Sequence, residues 1–107
     1  MVTTILHYRV KLGTADQMVR LAEVELVPAL RARHGLMTHQ AVLAGSQAVI
    51  FVSTYEDRSA ADAALEAAAA WADRLGSVIE GPARMTMGEV KSCFDTSREP
   101  ATVSEVV

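Results

Sequence analysis

The stretch AVIFVSTY, residues 48–55, has no polar side along most of its length: Val49 and Phe51 fall on one face, Ile50 and Val52 on the other. A strand formed here has to be covered on both faces, because successive side chains alternate across a sheet. A chain of 107 residues has room for a two-layer core and little more. Two helices can cover one face of a small sheet, and no further element is left for the other. The economical cover is a second copy of the same chain, sheet against sheet, in a two-fold homodimer. Without it a large apolar patch stays exposed.

The flanking sequence supplies the expected partners. Residues 3–12 alternate as a strand, with Leu6, Tyr8, Val10 and Leu12 on one face and Ile5, His7, Arg9 and Lys11 on the other. Gly13 breaks the run, and Thr14 with Gln17 reads as a capping box opening a helix over 15–33. Met18, Leu21, Ala22, Leu26, Ala29 and Leu30 recur there at helical spacing. Pro28 removes one helical hydrogen bond, which predicts a kink or break over 24–28, and Gly35 is a C-terminal stop. Strands over 36–43 and 48–55 are joined by the turn Ala44-Gly45-Ser46-Gln47. Ser59 with Asp62 repeats the capping logic and opens a second helix, SAADAALEAAAAWADRLG, ending near Gly76. A short apolar stretch, 77–79, leads to Gly81-Pro82 and a last strand over 83–94.

The order is β-α-β-β-α-β, an α+β ferredoxin-like arrangement: a four-stranded antiparallel sheet with two helices on one face. One domain is expected over 1–94. The tail over 95–107, with Pro100 and mixed polarity, reads as an arm or a frayed end.

Charge narrows the function. The formal net charge of -3, with Arg and Lys scattered singly, excludes a general nucleic-acid binder, which needs a basic face. The longest stretch of low charge, 60–72, contains Asp62 and Glu66, so no membrane span is expected. No charged n-region precedes an apolar h-region near Met1. Cys93, the single cysteine, can form neither an internal disulfide nor a cysteine metal site. Cytoplasm is the expected compartment. His7, His34 and His39 lack metal-ligand spacing, so no metal is expected.

Tyr8, on the apolar face, is either a donor or stacking wall for a ligand or a core tyrosine with its hydroxyl at the surface. His7 and Arg9 belong to the opposite face, with the dimer or solvent. His39, beside Met37 and Ala41, is either a proton acceptor for a pocket or a hydrogen-bonded core histidine. His34 ends the first helix, where a cation meets the helix dipole well. Trp71 follows Ala64 and Ala68 on one helical stripe. Either its ring packs flat on the sheet, or a cavity opens beneath the alanines. Tyr55 lines a pocket mouth or caps the core. Met85 and Met87 read as adaptable core fillers, or as the lining for an apolar ligand of loose shape.

ILHYRVKLGTADQMVRL, VPALRARHGLMTHQAV, VIFVSTYEDRSAADAAL and ARMTMGEV together span residues 5–90. With a Gly before the first helix, a Pro within it and YED-x-S-x-x-A leading into the second, the chain resembles the antibiotic-biosynthesis-monooxygenase-like domains of the dimeric α/β-barrel superfamily. The resemblance implies an apolar pocket between sheet and helices. There a bound phenol is deprotonated and its carbanion form reacts directly with dioxygen, without a cofactor. On an oxygenase reading, the residues weighed above give Tyr8 and His39 as the candidate catalytic residues and Tyr55 and Trp71 as the candidate substrate-binding ones. The haem-degrading branch carries an Asn, a Trp and a His at positions that Tyr8, Glu66 and Leu75 occupy here, which speaks against haem. The alternative is a non-catalytic ligand-binding or dimerisation module. A pocket of roughly a few hundred Å³ under the second helix, lined by Tyr8 and a histidine, would favour an enzyme. A filled core would favour the module.

Overall fold

In a computed structural model that describes residues 1–94, the chain runs β1 (Val2–Arg9), α1 (Ala15–Leu21), a π-helical turn (Ala22–Leu26), α2 (Val27–Ala32), β2 (Leu36–Leu43), β3 (Ala48–Tyr55), α3 (Arg58–Asp73) and β4 (Arg84–Glu89). The strands form one sheet in the order β2-β3-β1-β4, with every neighbouring pair antiparallel. This is the expected α+β ferredoxin-like architecture, with both middle strands in contact with α3. The expected tail over 95–107 lies outside the described residues.

Alternation decides which side chains enter the core. Tyr8 pairs with Val49 and Leu6 with Phe51 across β1 and β3. Val49, Phe51, Ser53 and Tyr55 are buried on the helix side, whereas Ala48, Ile50, Val52 and Thr54 are half-buried on the open side. Ile5 and Val42 share that open side, 39% and 43% exposed. Burying the helix-side row removes large apolar surface from water, at about 25 cal/mol per Å². The open side keeps its apolar residues wet.

The first helix answers Pro28 with a π turn. The Val27 N–H bonds to the Ala22 carbonyl, five residues back, just before the proline. Proline has no N–H and clashes with the carbonyl four residues earlier, so a wider turn relieves both. The same turn keeps Met18, Ala22, Leu26 and Leu30 buried. A strict four-residue spacing drifts by about 40° per step round an α-helix, and the π turn takes up that drift.

Both helix caps differ from the expected ones. Thr14 is the N-cap of α1 but makes no side-chain bond to the helix. Its backbone (φ -109°, ψ -1°) is not extended, and its hydroxyl instead donates to the Lys11 carbonyl at 2.6 Å. For α3 the cap is Asp57, not Ser59: its extended backbone lets Oδ1 accept from the Ala60 N–H at 2.8 Å. α3 therefore starts at Arg58, and it stops at Asp73, short of Gly76.

β4 is shorter than 83–94 because its partner runs out. Glu89 already pairs with Val2, and a single bond from the Val90 N–H to the Met1 carbonyl (2.9 Å) follows. Leu12 lies beyond β1 and is 73% exposed. Met85 on edge strand β4 is also exposed, while Met87 packs on the core.

Candidate functional site

Tyr8 is where the sheet meets an open space. Its ring lies edge-on to Phe51, with centroids 5.6 Å apart and planes at 62°. It borders an apolar cavity of about 240 Å³ between the end of β1 and α3. Leu6, Leu65 and the alanines 68, 69 and 72 form two of its walls, and Gly81-Pro82-Ala83 closes a third. The cavity exists because α3 presents methyl groups where larger side chains would reach the sheet. Asp73 supplies a carboxylate on its lining. Burial pushes the Tyr8 hydroxyl up to about 12, so it stays protonated at neutral pH and acts as a donor.

Trp71 takes the packed option. It is buried, 6.1 Å from Phe51, and its indole N–H donates to Glu25 Oε1 at 3.0 Å. That bond ties the π turn to α3, the helix that roofs the cavity. Packing and a cavity thus coexist on one helix: Trp71 fills the space beside Phe51, and the neighbouring alanines leave the space beside Tyr8.

His39 is across the sheet. Its ring meets Phe51 at 5.3 Å, so Phe51 on β3 stands between it and Tyr8. Nδ1 is 2.8 Å from Ser53 Oγ, while Nε2 is buried and has no partner among the described residues. Burial lowers the His39 pKa, so the ring is neutral at neutral pH. A tautomer donating from Nδ1 to Ser53 leaves Nε2 as a bare acceptor, which costs less than an orphaned N–H. Tyr55 is buried at the far end of β3, opposite Val2. Burial raises its hydroxyl pKa, partly offset by hydrogen bonding to Ser53 and Thr4.

Of the four residues singled out in sequence, only Tyr8 lines the cavity. Phe51 connects three of them, Tyr8, His39 and Trp71. The cavity's third wall escaped sequence reasoning. Its one signal is Gly81-Pro82, which ends the bridge between Ile79 and Val10 and turns the chain across the Tyr8 end of the sheet. His34 is exposed at the end of the first helical run and pairs with Glu56 at 3.3 Å. Among the described residues no group of three acidic, histidine or cysteine side chains could hold a metal ion.

A monooxygenase of Streptomyces coelicolor, solved with the ligand nanaomycin D, superimposes with a TM-score of 0.73 at 17% identity, over 87% of this chain and 89% of its own. An antibiotic biosynthesis monooxygenase superimposes with a TM-score of 0.68 at 16% identity, over 86% of this chain and 100% of its own. The fold is that of the antibiotic biosynthesis monooxygenases. A protein of unknown function from Nitrosomonas europaea shares this monooxygenase fold, with a TM-score of 0.74 at 16% identity, over 87% of this chain and 91% of its own. No family model and no curated protein matches the sequence. At these identities the monooxygenase fold is shared and the chemistry is not thereby assigned. No helix among the described residues is long and apolar enough to cross a membrane.

Proposed function

We propose that this chain is a small cofactor-independent monooxygenase, an oxidoreductase acting on an aromatic or similarly apolar molecule bound between β1 and α3. The observation that carries this reading is the apolar cavity with the protonated Tyr8 hydroxyl beside it. A phenolic substrate losing its proton develops negative charge on oxygen, and Tyr8 donates a hydrogen bond to that oxygen. The resulting carbanion form attacks dioxygen. For a substrate CH₂ group, one oxygen atom becomes a carbonyl and the other leaves as water. The substrate supplies all four electrons, so no external reductant enters. In this reading Phe51 and Trp71 hold the Tyr8 ring and the roof. Tyr55 supports the far end of the core. His39 packs behind Phe51, off the cavity wall, and supports that ring, while Asp73 on the cavity lining takes the substrate's proton.

Oxygen uptake with a panel of anthrone- and quinol-type phenols tests the reading. Turnover is expected with at least one of them. Tyr8→Phe should lower kcat about 100-fold, the effect of removing one oxyanion donor. Ala68→Leu should fill the cavity and abolish saturation. Binding of these phenols without oxygen uptake would show a binding module and overturn the enzyme.

We further assign the open sheet face, with Ile5, Val42, Ile50 and Val52, to a second copy in a two-fold homodimer. The single cysteine fits a reducing cytoplasm. Sedimentation at micromolar concentration should give a dimer, and a stable, soluble monomer there would sink this assignment.

A further inference from the structure

The rim of the open face carries a second concavity that the oxygenase reading does not use. Its volume is about 660 Å³, and it lies between the β2–β3 turn and the segment leading into β4. Of the apolar residues assigned to self-association, Ile50 pairs directly with His7, whereas Ile5 and Val52 pair two residues further along, so this groove adjoins their patch and is chemically unlike it. His7 and Arg84 are register partners on β1 and β4. The Arg84 Nη2 donates to His7 Nδ1 at 2.8 Å. With Nδ1 thus accepting, the neutral ring carries its proton on Nε2 and offers a second donor. Arg9, two residues along the same face, has its Nε 3.8 Å from Glu80 Oε2. That separation is an ion pair and not a hydrogen bond, and the 73% exposure of the Arg9 side chain leaves its donor fork free.

The groove is therefore lined by donors, with one carboxylate among them. Two guanidinium groups against Glu80 leave one net positive charge, on a chain whose formal net charge is -3. Ala44, Ala48 and Pro82 give it apolar walls. One positive charge, planar donor forks and apolar walls match a singly charged anion on an apolar body better than a dianion such as phosphate. We propose that this groove binds a small organic carboxylate, with Arg84 and Arg9 holding the carboxylate and Pro82 contacting the body. Pro82 also lines the cavity beneath α3, so the two sites share a wall.

Titration of the full chain with benzoate, followed by backbone amide shifts, tests the proposal. The shifts should saturate and concentrate at 46–48 and 80–84. Benzyl alcohol, the neutral counterpart, should bind at least about tenfold more weakly, since charge-assisted bonds are lost. Arg84→Gln should weaken benzoate by about the same factor. Glu80→Gln, on an exposed side chain whose loss threatens no packing, should strengthen it several-fold by removing the internal competitor. Equal affinity for benzoate and benzyl alcohol, shifts confined to the cavity under α3, or no gain from Glu80→Gln would overturn the proposal. Tyr8→Phe should leave benzoate affinity unchanged while altering oxygen uptake, so this site and the oxygenase reading fail separately.

Discussion

Phe51→Ala is expected to destabilise the chain by about 3–5 kcal/mol, the range for truncating a buried phenylalanine. Phe51 is 1% exposed and is touched by the rings of Tyr8, His39 and Trp71, which come from both neighbouring strands and from α3. None of these can collapse into the vacated space without leaving its own place. Tyr8 would abandon the cavity, His39 its bond to Ser53, and Trp71 its bond to Glu25. Against a total stability of roughly 5–15 kcal/mol for such a domain, the loss leaves little margin. In urea the midpoint should fall with the slope unchanged, at one fixed protein concentration because self-association adds to apparent stability. Phe51→Leu, closer in volume, should cost less than about 1.5 kcal/mol. Equal losses for the two substitutions would mean that the ring contacts, which both remove, carry the whole cost and that aliphatic volume restores none of it. The Leu variant should still lose substrate affinity, because Tyr8 no longer has an aromatic edge to rest against.

What the sequence makes legible follows from the range of the forces involved. Strands β2 and β3 fall at 36–43 and 48–55 as expected, because alternation and a glycine turn are local signals. Gly45 supplies the positive φ of that turn, +87°. Pro28 announces a disturbed helix, but a kink, a break and a π turn all answer the same missing N–H. Only the demand that Met18, Ala22, Leu26 and Leu30 share one face selects the π turn. The caps were less legible. Thr14 and Ser59 have suitable side chains, but capping also needs an extended backbone, which Asp57 has and Thr14 lacks. At the site, alternation separates Tyr8 from its neighbours His7 and Arg9, and the structure keeps that division. Neither Arg84 beside His7 nor Pro82 beneath α3 could be found by spacing. Both depend on the register of β4, set by a pairing across 77 residues.

Gly35→Ala should cost about 3 kcal/mol, from two sources that a second substitution can separate. Gly35 holds φ at +109°, which L-residues reach only with strain of roughly 1–2 kcal/mol. A Cβ added there would also stand 2.5 Å from the Ala60 Cβ, an atom fixed to the first turn of α3. Because a Cβ cannot rotate away, backbone has to shift, at a further cost of about 1–3 kcal/mol. Ala60→Gly alone should cost up to about 1 kcal/mol in helix propensity. In the double variant the steric part disappears and the dihedral part remains. The two changes together should therefore be less destabilising than their sum by about 1–3 kcal/mol, the steric part, measured as a double-mutant cycle by chemical denaturation. Strict additivity would show that only the dihedral matters and that the junction is looser than its contacts indicate. The junction also bears on function: the Glu56 N–H donates to the Gly35 carbonyl at 2.8 Å, one residue before the cap of α3. Pushing residue 35 away from Ala60 displaces the helix whose alanines form the cavity roof. Gly35→Ala should thus weaken phenol binding even under conditions where the chain remains folded, and adding Ala60→Gly should restore much of it.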